Sequence, residues 1–599
     1  MKITKYLLKR LALITLLTPV FCFSQVQETF VQNLQMRSIK AKNVDQLCRK
    51  FIYNSIINKQ LPKSIVAVKE ILIGKLKTIK INNESKEDAQ IIDYLSNTFL
   101  FLELCQNNKI SFSKAPFLQF LLSSQKRIAK IVTGISAHDN VPEVFNLLEK
   151  MFQTKNELDE YFDLALALAV VWDQPRSRIH AQIGTYNAPI YYNKIVDRYN
   201  FYKTLYDKNK AKLRYRFLDF QDLIYVVDTP IPLSELEWTK KNVKGTISNW
   251  GKQYSTIKYD HKRLKEEVYT WPESQGIYTL KNIAKHGGIC VDQAYYCIMT
   301  ARAFGIPALY FSGDGKRGGH AWASYMKRKD SWTLDVGRYS SDKYNVGFTT
   351  NPQTNNKMTD HQVSILYNKL FSKRGYIKGK KYLSYAKVLA KEELTERSLA
   401  FSKSATKMAP LNEQCWDFYI DLIKNKNDDT LLLEALDKKI KIFKKYPDIY
   451  VNSQVQKCDL LKKLGRTKEA EKIMKVTQRL IKRDKNRDDL ERNVVIKQVD
   501  ELMEVEKFKE ARKLMERLIR KHKNEGAKLL SVIDKYLKIT SSTEQTKQAE
   551  RFIPPIIKAM YKTLPPAVRR QAIQRMITAY ANNMNTKKVK SITKLYIDK

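Results

Sequence analysis

Gly287-Gly288-Ile289-Cys290-Val291-Asp292-Gln293-Ala294 opens a stretch, running to Asp335, from which the rest of this 599-residue chain is read. Ala294, Cys297, Ile298 and Ala301 recur at i, i+3, i+4 and i+7, the apolar stripe of a helix with one buried face. Paired glycines punctuate its start, and Gly305 followed by Pro307 is the order expected at a helix end. Cys290 therefore falls at or just inside the first turn. There the unpaired N–H groups and the positive end of the helix dipole favour a thiolate. A backbone N–H at the same place can hold an oxyanion.

Downstream, Ala308-Leu309-Tyr310-Phe311 reads as a short buried strand, and Gly313 to Gly319 as a glycine-rich loop. His320 to Met326 and Ser331 to Val336 read as two strands folded about the charged turn Lys327-Arg328-Lys329-Asp330. Such a hairpin puts His320 opposite Asp335 or one diagonal away, both on one face. The expected order is Cys290 as nucleophile, His320 as base and Asp335 orienting the imidazole. Taken singly, each has a plain alternative: a buried structural cysteine, a loop histidine, a turn aspartate. The three together, in these contexts, point to catalysis.

Gly288-x-Cys290-x-Asp292-x-Ala294, Arg302-x-x-Gly305-Ile306-Pro307-Ala308, His320-Ala321-Trp322 and Trp332-x-x-Asp335 resemble the transglutaminase-like superfamily over Leu236 to Tyr367. The resemblance implies a papain-like α+β core with a Cys-His-Asp triad. It further implies acyl transfer from protein or peptide amides through a thioester, to an amine or to water. Val336-Gly337-Arg338 stands where the family commonly has Asp-Pro-Thr, which sets the third site apart. For the second oxyanion donor the candidates are Tyr259 and Trp250, with buried core aromatics as the alternative for both.

Lys2, Lys5, Lys9 and Arg10 precede the apolar run Leu11 to Phe23, and Cys22 and Ser24 supply small residues at the usual cleavage positions. Residues 1–24 therefore read as a secretory signal peptide, and the mature protein as exported, periplasmic or extracellular. Phe21 before Cys22 argues against a lipidated cysteine. No later run is long enough to span a membrane; Leu164 to Trp172 reads as a buried helix. From Val26 to Thr239 the pattern is helical, with stripes such as Leu61, Ile65, Val68, Leu72 and Val144, Leu147, Leu148, Met151. Asp228-Thr229-Pro230-Ile231-Pro232 is a stiff turn, and Ser234-x-x-Glu237 looks like a capping box. The division expected is a helical N-terminal domain over 25–233, a catalytic core over 234–382 and helical repeats over 383–599. His180, in the first of these, lines a cleft or sits on a surface loop, the latter being favoured.

Beyond Tyr382 two segments align without gaps, Leu464 to Met474 and Val505 to Met515, offset by 41 residues. They resemble tetratricopeptide repeats, whose period is about 34 residues, with insertions. Such repeats offer a concave surface to a partner; the alternative is a helical cap on the core. Pro554-Pro555 and Pro565-Pro566 should interrupt the last helices, and His522 should lie on a solvated lysine-rich face. The fold class expected is multidomain and mostly α, around an α+β core.

The formal charge is +45, spread from end to end. Without an Arg-rich arm, zinc finger or RNA-binding aromatic motif, nucleic acid is a poor partner, and an acidic extracellular polymer or protein a better one. Six cysteines remain after residue 24, with no disulfide framework. Seven scattered histidines call for no metal, and nothing calls for a cofactor. The competing function is a non-catalytic scaffold built on a degenerate core.

Overall fold

The computed structural model describes residues 30, 32, 40–153, 158–176, 180–183, 194–266, 268–315, 318–338, 346–366, 374–483, 488–523, 529–561, 564 and 566–596. The expected signal peptide lies outside the described residues. The chain is mostly helical, with a small five-stranded antiparallel sheet. Among the described residues no helix is long and apolar enough to cross a membrane.

Helix α1 (Phe162–Val171) is apolar and buried at every position but Asp163, which pairs with Lys130. Helix α2 (Phe220–Val227) packs beside it, started by a reciprocal Asp219–Asp222 capping box. Trp172 closes α1 by donating its indole N–H to the Val227 carbonyl at 3.0 Å. Helix α3 (Cys290–Ala303) is buried from Val291 to Ala303, on every side rather than on one stripe. It stops at Gly305, whose φ of +71° is the left-handed exit that glycine tolerates.

The strands follow as β1 (Ala308–Gly315), β2 (Gly318–Arg328), β3 (Ser331–Val336), β4 (Phe348–Thr350) and β5 (Lys357–Thr359), in spatial order β3-β2-β1-β4-β5. The glycine-rich run expected as a loop is largely strand, with Gly313 paired to His320 and Gly315 to Gly318. Strand alternation explains the layering. Ala308, Tyr310, Ala321, Ala323 and Tyr325 share a core with α3. Leu309, Phe311, Trp322 and Met326 point the other way, into the core of the N-terminal helices. The sheet is thus covered on both faces, which ties the expected first and second domains into one packing unit.

Two expected boundaries change for the same reason. The helix Leu233–Asn242 starts at Leu233 with no side-chain cap, so Ser234 forms no capping box. Upstream, Ile183 joins the core around α3, and Gln182 accepts the Trp271 N–H at 2.9 Å. A cut after Tyr382 would sever helix α4 (Arg374–Lys391), which with α5 (Thr395–Met408) packs on the N-terminal helices. The Tyr382 hydroxyl donates to Glu84 at 2.8 Å, and Lys69 pairs with Glu392 at 2.9 Å.

From Glu413–Asn425 to Thr586–Tyr596 the helices pair with their chain neighbours around separate small cores. The two aligned segments are equivalent in structure. Each turns through a left-handed residue, Gly465 or Glu506, and buries an alanine, Ala470 or Ala511. Pro554 and Pro555 do not interrupt a helix; they lie inside Thr546–Tyr561, between the buried pairs Phe552–Ile553 and Ile556–Ile557. His522 is 2% exposed and faces Glu491, not solvent. A lysine-rich helix hides the buried stripe on which its last turn ends.

Candidate active site

The entry to α3 explains its two glycines. Gly288 donates to the Lys258 carbonyl and accepts from the Asp260 N–H, each at 3.0 Å, so a passing segment is pinned against the turn. Gly287 has φ +82°, and a Cβ there would lie 2.4 Å from the Lys258 oxygen. A Cβ on Gly288 would lie 2.4 Å from that of Asp292. Only a bare backbone passes.

Asp292, a motif residue without an expected role, is the structural centre of this turn. Its side chain is 1% exposed and accepts from the Ile289 N–H at 2.8 Å, Arg263 at 2.8 Å and the Tyr278 hydroxyl at 3.0 Å. Burial drives its carboxyl above the usual range, and Arg263 with the donors pulls back. The signal available in sequence was an acidic residue at the third helical position.

Cys290 is the first residue of α3, and the backbone N–H groups of Ala321, Val291 and Cys290 itself lie near enough to its thiol to favour the thiolate. Burial raises the thiol pKa above its ordinary value and the Asp292 charge adds to that, while the N–H groups oppose. The thiolate-favouring effect expected of the helix start is thus outweighed. Among the six described cysteines only Cys290 is partly exposed; in the others burial pushes Cys48, Cys297 and Cys415 up to about 12 and Cys458 up to about 11.

His320 is on β2, next to Ala321, with Nε2 2.7 Å from the Gly337 carbonyl. A carbonyl only accepts, so Nε2 carries the proton and Nδ1 is the basic nitrogen of the neutral ring. Gly337 has φ +84° and lies under Tyr254, whose hydroxyl donates to the Ala321 carbonyl at 2.9 Å. One tyrosine therefore braces both sides of His320.

Asp335 is not where hairpin symmetry puts it. Ala323 pairs with Val336 but Tyr325 with Thr333, so β3 carries one extra residue between them. This bulge leaves Asp335 with a 63% exposed side chain, paired to Arg338 at 2.9 Å. The last ladder pair, Ala323 with Val336, falls three residues short of His320. The structure places Cys290 and His320 in the wall of one cavity and leaves Asp335 outside it.

Both lie in the wall of a cavity of about 1440 Å³, with Tyr259, Tyr310, His180 and Asp173. Of the two expected oxyanion candidates, Tyr259 faces this cavity, whereas Trp250 is sealed in the core. His180, favoured as a surface histidine, is a wall residue: its Nε2 is 3.1 Å from the Tyr278 hydroxyl and its ring lies parallel to Tyr310 at 5.7 Å. Asp228 joins wall to helix, with Arg176 at 2.7 Å on one oxygen and Arg302, on α3, at 2.9 Å on the other. Burial opposes ionisation, but the two guanidinium groups hold its carboxyl below the usual range. Compared with known proteins, the chain matches no family model and no curated protein. Fold and site together define a mostly helical protein with a thiol and an imidazole in one large cavity.

Proposed function

We propose that this protein is an exported cysteine acyl-transfer enzyme of the transglutaminase-like kind, acting on protein or peptide amides. The observation that carries this reading is that the Cys290 thiol and the His320 imidazole line one cavity, the thiol near the N–H that follows His320, the ring held by Gly337. Helix α3 against an antiparallel sheet supports the papain-like core. Burial disfavours an isolated thiolate, so ionisation rests on transfer of the proton to His320 Nδ1. The thiolate then attacks the amide carbon, and the imidazolium gives its proton to the leaving nitrogen. A thioester and a free amine result, and a second amine or water resolves the thioester. The Gly337 carbonyl takes the orienting role that the family pattern gives to Asp335. A cavity above the roughly 300–1,000 Å³ of small-ligand sites supports a macromolecular segment as substrate. The lysine-rich C-terminal helices suit an acidic extracellular polymer or protein as a further partner.

Incubation with a labelled amine and a glutamine-rich protein, beside Cys290→Ala, tests this. Label incorporation that needs Cys290 means transamidation, and ammonia release without incorporation means hydrolysis. Absence of both supports a second reading, a binding scaffold, which the raised thiol pKa favours.

A further inference from the structure

Tyr310 lies opposite Ala323 and one diagonal from Ala321, whose N–H lies near the Cys290 thiol. Strand alternation puts its side chain on the sheet face covered by α3, in the same core as Cys290. The ring is clamped parallel to His180, with 13° between the planes, and belongs to the cavity wall. The neighbouring tyrosines are engaged: Tyr278 donates to Asp292 at 3.0 Å and Tyr254 to the Ala321 carbonyl at 2.9 Å. Among the described residues the Tyr310 hydroxyl has no hydrogen-bond partner, although the side chain is only partly exposed. A half-buried phenol in the wall of an open cavity, and otherwise idle, is a donor awaiting an acceptor. Burial, and after it the Cys290 charge, hold this phenol far above its ordinary pKa, so it stays protonated wherever the thiol works.

We infer that the Tyr310 hydroxyl is the side-chain oxyanion donor of the Cys290 site, an inference that rests on the acyl-transfer reading above. As sulfur bonds to the carbonyl carbon, the π pair moves onto oxygen. Tyr310 donates a hydrogen bond to that oxygen and keeps its proton, alongside a backbone N–H at the start of α3. When the pair returns, the bond to the leaving group breaks, and His320 protonates a leaving nitrogen. Trp250 is sealed away from this oxygen, and Tyr259 lies with its ring against His261 at 5.0 Å.

Tyr310→Phe removes the hydroxyl and keeps the ring that stacks on His180. The test compares two reactions of Cys290 in the full-length wild-type, Tyr310→Phe and Tyr259→Phe proteins. Acetylation by p-nitrophenyl acetate, followed by nitrophenolate release and by the mass of the Cys290 peptide, passes through an oxyanion. Alkylation by iodoacetamide does not. Tyr310→Phe should slow acetylation roughly 10²-fold, the scale of one lost oxyanion donor, and leave alkylation unchanged. Equal acetylation of wild type and Tyr310→Phe overturns the inference, as does slowing confined to Tyr259→Phe. Proportional slowing of both reactions in Tyr310→Phe also overturns it, because the residue would then act on the thiol. A wild-type protein alkylated but never acetylated at Cys290 removes the acyl-transfer reading itself.

Discussion

Alanine at position 337 meets two obstacles in this structure. At φ +84° an L-residue costs about 1–2 kcal/mol. Its Cβ would also lie 2.3 Å from the Tyr254 ring. Tyr254 can swing away, giving up its bond to the Ala321 carbonyl, which is worth about 1 kcal/mol. Otherwise residue 337 retreats and leaves His320 Nε2 buried without its acceptor, at about 1–3 kcal/mol. Either route costs several kcal/mol locally; the second releases the imidazole tautomer, and the first removes the brace on the Ala321 side of His320. Loss of an orienting partner in a comparable triad costs about 10⁴ in turnover, and a neutral carbonyl should be worth about 10²–10³ of that. Asp335→Asn, in contrast, removes an exposed pair with Arg338 worth about 0–1 kcal/mol. Amine incorporation by the two variants and wild type should therefore fall steeply for Gly337→Ala and little for Asp335→Asn. The reverse order would refute the argument, since Asp335 would then reach His320 during turnover.

Iodoacetamide should label Cys290 ahead of Cys48, Cys105, Cys297, Cys415 and Cys458, which are all sealed. Because burial raises its pKa, labelling should climb as pH becomes alkaline; peptide mass mapping across pH checks both points. Arg263→Met strands the Asp292 carboxylate and should destabilise the core by about 3–5 kcal/mol, with partial recovery on adding Asp292→Asn, measured by denaturant unfolding on tryptophan fluorescence. Glu235, buried with its Oε2 on the Leu280 N–H, is pushed up to about 7. The unfolded chain releases this proton first, so stability should fall as pH rises from the ordinary carboxyl value to about 7 and level off above it. Glu235→Gln should remove that slope and gain roughly 2–3 kcal/mol at pH 8, a difference readable in unfolding midpoints at pH 5 and pH 8.

Local periodicity was enough for α1, for α3 and for the hairpin turn at Asp330, because each rests on neighbours a few residues apart. The same spacing placed Cys290 at a helix start and His320 on a strand beside it. What it missed depends on contacts distant in sequence. Alternation assumes an unbroken ladder, so the extra residue of β3 that moves Asp335 aside leaves no trace in the pattern. A backbone carbonyl carries no letter of its own, and only the glycine at 337 hinted at the group that meets His320. The burial of His522 and the place of His180 in the cavity depend on elements packing from elsewhere. The break expected after Tyr382 marked where the sequence turns repeat-like, whereas α4 and α5 are held to the N-terminal helices by side chains some 300 residues away.

Asp228 gives the cavity an unusual resistance to acid. Its two arginines come from different parts of the molecule, Arg176 from the wall and Arg302 from the helix whose first residue is Cys290. The carboxyl is held below its usual range, so the clasp persists as pH falls past the point where ordinary aspartates discharge, and fails only below that. The join between the cavity wall and the helix that begins at Cys290 should therefore hold through mildly acid conditions.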